Sequence, residues 1–128
     1  FEAGALILET QVFTNILNST FKGVFGRRRP HETEGAGEFR PFDVARGSRN
    51  GFPSGHAAHA FGLATAVAMR GGVYWGVPAY ALAATVGSAR VLHDAHYPSD
   101  VLTGAALGIY VGRILGRRQR ERRAAKSS

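Results

Sequence analysis

The stretch that most constrains this chain is residues 50–56, Asn-Gly-Phe-Pro-Ser-Gly-His, which is followed at once by an apolar run at residues 57–69. The order is typical of a tight turn that opens a helix, because proline fixes one backbone angle and Ser54 is a preferred N-cap. Gly55 lets the backbone come close to a ligand, and unpaired N–H groups at a helix N-terminus suit a phosphate. We therefore predict an anion site here, with His56 beside it to exchange a proton. An ordinary N-cap next to a surface histidine would show the same residues.

Charged residues and a further histidine flank this stretch at fixed spacings. A K-x6-R-P pattern precedes it and an R-x5-H-x3-D pattern follows it, formed by Lys22, Arg29, Pro30, Arg90, His96 and Asp100. Arginine suits phosphate because its planar fork binds two oxygens at once, whereas lysine supplies a point charge. The flanking cations therefore strengthen the prediction of a phosphate site.

Together with Pro53-Ser54-Gly55-His56, these patterns resemble the signature of the type 2 phosphatidic acid phosphatase (PAP2) superfamily, which is K-x6-R-P, P-S-G-H and S-R-x5-H-x3-D. The three patterns stand in the family's order and span residues 22–100, most of the chain. One position departs, because Ala89 stands where the family has serine. The resemblance implies an all-α fold, a PAP2-like antiparallel helical bundle.

Hydrophobic periodicity predicts where the helices lie. Apolar residues recur at intervals of three and four along residues 1–21, which indicates an amphipathic helix. Residues 22–52 are rich in Gly, Arg, Glu and Pro and are expected to be mostly loop. Pro98 suits the first position of a helix that follows a short connection at residues 91–97. The further helices are expected at residues 57–69, 73–89 and 98–116.

The length of the chain indicates one domain, which we divide into a PAP2-like core at residues 1–116 and a basic tail at residues 117–128. The net charge of +7 favours anionic partners, and the absence of cysteine excludes thiolate metal sites. The sequence begins with Phe1 and shows no signal-peptide pattern. We therefore expect a fragment of a longer protein whose N-terminal helices are missing.

Phosphoryl transfer needs a nucleophile, a group that orients it, an acid for the leaving oxygen, and cations. His96 paired with Asp100 supplies the first two, and His56 is left as the acid. The expected anion cradle consists of Lys22, Arg29, Arg90 and the amides near Ser54 and Gly55. The resemblance implies the same roles, with a phosphohistidine on His96 that water then hydrolyses. We expect no metal, because three cations can neutralise the charge that magnesium neutralises elsewhere.

The PAP2 superfamily contains integral-membrane lipid phosphatases, soluble secreted acid phosphatases and vanadium haloperoxidases. The apolar runs here are shorter than the roughly 20 residues that span a bilayer. If the three patterns share one side, however, the turn at Arg70 and the basic tail lie on the other, and excess arginine is typical of a cytoplasmic side. We therefore expect a multi-pass protein of the cell membrane with its site on the extracytoplasmic side.

The predicted activity is that of a metal-independent phosphatase that hydrolyses a phosphomonoester or diphosphate, of a lipid in particular. The alternatives are a soluble non-specific acid phosphatase and a vanadate-dependent haloperoxidase, for which vanadate would be the cofactor. A non-enzymatic basic module would give no reason for the spacing of His56, His96 and Asp100. The expected partners are a membrane and a phosphorylated lipid or small phosphate ester, without nucleic acid. His59 is expected to be a packed or interfacial histidine rather than a ligand.

Overall fold

The computed structural model describes residues 2–25, 54–93 and 98–128, and these residues form four helices. In chain order they are α1 (Glu2–Phe25), α2 (Gly55–Gly71), α3 (Val73–Leu92) and α4 (Pro98–Ser127). No strand occurs in these three segments, so the all-α fold class is confirmed. The remainder of the predicted loop, residues 26–53, lies outside the described residues.

Helix α1 is longer than the periodicity predicted, because it continues four residues past Phe21. Lys22 therefore lies in its last turn, where a cation is favoured by the negative end of the helix dipole. This extension decides where the lysine side chain points, since it stays on the helix face set by the residues one turn earlier.

Helices α2 and α3 form an antiparallel hairpin joined by Gly72 alone. Gly72 has a φ of 75°, a left-handed conformation that glycine adopts without strain. Across the hairpin, the hydroxyls of Thr65 and Tyr80 lie 2.6 Å apart, and the rings of Phe61 and Tyr80 pack with centroids 6.2 Å apart. Helix α2 ends at Gly71, two residues after the end that the sequence predicts. The hairpin brings the last turn of α3 back to the level of the first turn of α2.

Helix α4 packs against α2 through glycines that recur every four residues, which places them on one face of the helix. They are Gly104, Gly108, Gly112 and Gly116. A Cβ atom added at Gly108 would overlap the carbonyl oxygen of Ala58 and lie 2.6 Å from the Gly62 nitrogen. The two backbones are therefore in direct contact, an approach that only glycine permits.

The order of these contacts gives the direction of α4. Gly104 lies beside Ala58 near the start of α2, and Gly116 lies beside Met69 near its end. Helices α2 and α4 thus run parallel. Helix α1 runs the opposite way, because its Lys22 lies near Gly55. The four helices alternate in direction along the chain, as the predicted antiparallel bundle requires.

Two ends of the bundle follow from this topology. The C-terminal ends of α1 and α3 and the N-terminal ends of α2 and α4 share one end, called here the motif end. At the opposite end, Glu2 is paired with Arg123 and lies 3.8 Å from the guanidinium of Arg70. All the described residues of the three sequence patterns therefore come from the same end of the fold.

Helix α4 does not end near Gly116 as predicted but continues to Ser127. Its added turns pack against the rest of the bundle: the Gln119 side chain donates to the Glu2 carbonyl (2.8 Å), and Arg120 donates to the Met69 carbonyl at the end of α2 (2.8 Å). Arginine, glutamine and alanine are also good helix formers. The boundary drawn between core and basic tail at residues 116–117 therefore falls inside a continuous helix.

Within the described residues, none of the four helices combines the length and the apolar composition needed to cross a bilayer.

Candidate active site

The start of α2 is built as the sequence predicted. The hydroxyl oxygen of Ser54 accepts a hydrogen bond from the Ala57 backbone N–H (3.3 Å), and the Ser54 side chain is fully buried. This bond satisfies one of the N–H groups that a helix leaves unpaired at its start. The Ser54 N–H itself donates to the backbone carbonyl of Asp100 (2.9 Å). The first turns of α2 and α4 are thereby tied together.

Asp100 lies in the first turn of α4, and its exposed fraction is 0%. A buried carboxylate is costly unless it is paired or hydrogen-bonded, so Asp100 depends on partners at this end of the bundle. One turn later, a Cβ atom at Gly104 would overlap the Ser54 carbonyl oxygen. Asp100 therefore reaches the start of α2 because Gly104 lets the two helices touch there.

Lys22 approaches the same point from α1. Its Nζ atom lies 3.6 Å from the place that a Cβ atom would take at Gly55. A lysine charge at a helix N-terminus is repelled by the positive end of the dipole, so this arrangement is suited to an anion bound between them.

Arg90 and His56 complete the described part of the motif end. Arg90 lies in the last turn of α3, and its buried Nε atom has no hydrogen-bond partner among the described residues. His56 lies in the first turn of α2 with its side chain exposed. Both therefore lie at the end of the bundle that holds Ser54 and Asp100.

Several predicted residues lie outside the described residues. They are Arg29, Pro30, Pro53 and His96. The structure gathers the others at the motif end: Lys22, Ser54, Gly55, His56, Arg90 and Asp100. Their chemical roles stay predictions.

His59 is packed against α1, as predicted. The Gln11 side-chain amide donates to the His59 backbone carbonyl (3.1 Å), which leaves the Gln11 oxygen as the hydrogen-bond partner of His59 Nδ1. Nδ1 therefore carries the proton, since an amide oxygen only accepts. Burial first, and then the positive charge of Lys22, lower the pKa of His59 from its usual value. Both effects favour a neutral imidazole at this position.

Sequence reasoning missed Asn18, whose side chain reaches the same point as Lys22. Its Nδ2 atom lies 3.2 Å from the Cβ position of Gly55, and the side chain is buried. The signal was available, because the residues on the inner face of α1 recur every four positions. They are Leu6, Thr10, Thr14, Asn18 and Lys22.

An open apolar groove lies between α2, α3 and α4 beside the motif end, with a volume of about 490 Å³. Ser88 carries the one polar side chain among its lining residues. The lining is Phe61, Ala84, Gly87, Ser88, Val91, Leu92, Pro98, Val101 and Leu102. Since Val91 directly follows Arg90, an apolar ligand in this groove would lie next to the motif end.

No metal site accompanies this arrangement in the part of the chain that the structure describes. No three residues of the types His, Cys, Asp and Glu are grouped there in a way that could hold an ion.

Comparison with known protein families shows which family the chain belongs to. A model of the PAP2 superfamily matches residues 3–124. The chain belongs to the PAP2 superfamily. The resemblance read from the three sequence patterns is thereby confirmed, and the all-helical bundle agrees with it.

Curated PAP2 relatives are phosphatases by name. The lipid A 1-phosphatase of Rhizobium etli is 36% identical over 107 residues, which cover 82% of this chain and 45% of the relative. The lipid A 1-phosphatase of Porphyromonas gingivalis is 37% identical over 93 residues, or 70% of this chain and 18% of the relative. The decaprenylphosphoryl-5-phosphoribose phosphatase of Mycobacterium tuberculosis is 41% identical over 81 residues, or 59% of this chain and 44% of the relative.

The chain thus spans less than half the length of each of these three relatives. No solved structure gives a significant match to it.

Proposed function

We propose that the protein is a phosphatase that removes a phosphate group, present as a monoester or diphosphate, from a lipid. The observation that carries this proposal is the convergence of Lys22 and the buried Asp100 on the capped start of α2. Relatives named lipid A phosphatase and decaprenylphosphoryl-5-phosphoribose phosphatase support a phosphorylated lipid as the substrate class.

In this proposal the substrate phosphate lies at the N-terminus of α2. The Gly55 backbone N–H, the Lys22 ammonium and the guanidinium groups of Arg90 and Arg29 surround its oxygens. These donors stabilise the charge that spreads over the equatorial oxygens in the transition state. The cradle therefore supplies the role that a divalent ion has in other phosphoryl-transfer enzymes.

The proposed chemistry proceeds in two displacements. A ring nitrogen of His96 attacks phosphorus while Asp100 holds the other ring nitrogen, and the bond to the leaving oxygen breaks as His56 donates a proton to that oxygen. Water then attacks the phosphohistidine and gives a proton to His56, which releases phosphate and restores both histidines. No electron donor or acceptor is needed for this sequence.

The apolar groove beside Arg90 is the proposed place for the apolar chain of the lipid. A phosphatase with this arrangement should hydrolyse a long-chain phosphate more efficiently than a water-soluble ester, because a buried methylene group contributes about 0.8 kcal/mol. Ala84→Trp fills the groove and should reduce that preference roughly tenfold or more in kcat/KM. Phosphate release from paired long- and short-chain substrates measures it in the full-length protein.

Ala81→Trp is the matched control, since Ala81 lies exposed on the same helix outside the groove. Equal efficiency on both substrates in the unmodified protein, or equal loss of preference in the two variants, would contradict the lipid assignment.

The cradle also predicts activity without a metal and inhibition by vanadate. Activity should survive EDTA, and vanadate should compete with substrate because it adopts the five-coordinate shape of the transition state. A charge-assisted hydrogen bond is worth roughly 1.5–3 kcal/mol, so Arg90→Ala should weaken vanadate inhibition roughly ten- to a hundredfold. Arg90→Lys should restore only part of it, because the fork is lost.

Arg117→Ala, on the exposed far part of α4, serves as the control for charge alone. Activity that is lost in EDTA and recovered with magnesium would refute the metal-free mechanism. A protein that needs both vanadate and halide for turnover would instead be a haloperoxidase.

We further propose that the full-length protein works at the cell membrane with its site on the extracytoplasmic side. The end of the bundle that holds Arg70 and Arg123 lies opposite the motif end, and its excess of arginine fits the positive-inside rule. Cysteines introduced near the motif end should react with an impermeant reagent in intact cells, whereas cysteines in residues 117–128 should not. The reverse labelling pattern would contradict this orientation.

A further inference from the structure

Asn18 and Lys22 lie one turn apart on the same face of α1, so their side chains point the same way. Both end near Gly55: Asn18 Nδ2 is 3.2 Å and Lys22 Nζ 3.6 Å from the Cβ position of that glycine. An amide and an ammonium group thus meet at the first residue of a 17-residue helix.

The Asn18 side chain is 4% exposed, and its buried Oδ1 atom finds no hydrogen-bond partner within the described part of the protein. Leaving a buried polar atom unpaired costs free energy, so such an atom needs a reason. Thr10 and Thr14 are buried on the same face with unpaired hydroxyls, but threonine in a helix can turn its hydroxyl to the carbonyl four residues earlier. The Asn18 amide oxygen can only accept, so a ligand that satisfies it must present a hydrogen-bond donor.

Asn18 and Lys22 pack closely over Gly55, where any side chain would crowd the Asn18 amide. An oxyanion bound beside Gly55 would meet the start of α2 on one side and the Lys22 ammonium on the other. The Asn18 amide lies at the same point. A phosphate that carries one proton has both the acceptor oxygens for the amide NH2 group and the O–H donor that Oδ1 lacks.

We propose that Asn18 is a further binding residue of the phosphate site, where its side-chain amide contacts the phosphoryl group next to Lys22. This inference builds on the proposed phosphatase function, but binding can be tested without turnover. The amide adds a neutral contact with fixed geometry, so it orients the phosphoryl group without adding to the charge that Lys22 supplies.

The test measures inorganic phosphate and vanadate binding by calorimetry, together with phosphatase kinetics, in the full-length protein. Asn18→Ala should weaken both anions roughly tenfold and raise KM more than it lowers kcat. Asn18→Asp keeps the shape and adds a negative charge, so it should weaken both anions further. The carboxylate can pair with Lys22, so the thermal midpoint of this variant should stay near that of the unmodified protein.

Asn15→Ala is the matched control, because Asn15 is exposed on the same helix. It should leave both binding constants and KM unchanged. If Asn18→Ala does not fold, the folded Asn18→Asp variant decides the question alone.

Anion affinities within twofold of the unmodified protein in both Asn18 variants would overturn the inference. A loss of binding no larger than the fraction of unfolded variant protein would overturn it as well. Two further outcomes separate this inference from the proposed function. If the protein binds phosphate through Asn18 but hydrolyses no ester, the Asn18 inference stands and the phosphatase function is refuted. If it is a phosphatase whose activity and anion binding do not change in Asn18→Ala and Asn18→Asp, the function stands and the Asn18 inference is refuted.

Discussion

Replacing Gly108 by alanine should destabilise the protein by about 3 kcal/mol or more, at or above the upper end of the usual cost of overpacking. The added Cβ atom would overlap the Ala58 carbonyl oxygen and lie 2.6 Å from the Gly62 nitrogen. Both are backbone atoms of α2, so no side-chain rotation relieves the overlap and the helices must separate. Separation would also break the Ser54 to Asp100 hydrogen bond at the motif end, so activity should fall with stability.

Gly4→Ala is the control for the loss of a helical glycine, because no atom lies within 4 Å of the Cβ position of Gly4. This change should leave the protein equally stable or raise its free energy of unfolding by about 0.5–1 kcal/mol. Chemical unfolding of the full-length variants measures both. A Gly108→Ala protein within about 1 kcal/mol of the unmodified one would show that α2 and α4 do not touch as described.

Local signals account for the parts of the fold that the sequence predicts. The serine cap of α2, the glycine at position 72 and the proline at position 98 each act on the residues next to them, and α2, α3 and α4 begin where these signals place them. The end of α4 could not be predicted in this way. Its last turns are held by contacts of Gln119 and Arg120 with α1 and α2, which are far away in sequence.

The candidate site also has one part that the sequence predicts and one part that it does not. Lys22, Ser54 and Asp100 carry recognisable spacings, and the structure brings them together at one end of the bundle. The four-residue recurrence along α1 marks the helix face of Asn18. Its place beside Gly55, however, depends on α1 lying antiparallel to α2, which sequence periodicity does not specify. The four-residue glycine repeat of α4 was visible in the sequence, but its partner helix was not.

The second large effect is expected at His96, the proposed nucleophile. Removing this imidazole takes away the atom that forms the covalent intermediate, so His96→Ala should lower kcat by at least about a thousandfold. His56→Ala removes only the general acid and should cost roughly a hundred- to ten-thousandfold, less for substrates with good leaving groups. Steady-state phosphate release from esters of differing leaving-group pKa separates the two roles.

The control is His93→Ala, which removes an exposed histidine three residues away that belongs to none of the three patterns. It should keep near-normal kcat. A His56→Ala variant equally impaired on all leaving groups would contradict its assignment as the acid.

Rapid quenching of the full-length protein with phosphate-labelled substrate tests most directly whether the phosphatase works through a phosphohistidine on His96. The unmodified protein and His93→Ala should carry an acid-labile label that disappears as turnover ends. His96→Ala should carry none. A label that persists in His96→Ala, or near-normal turnover by that variant, would show that His96 is not the nucleophile.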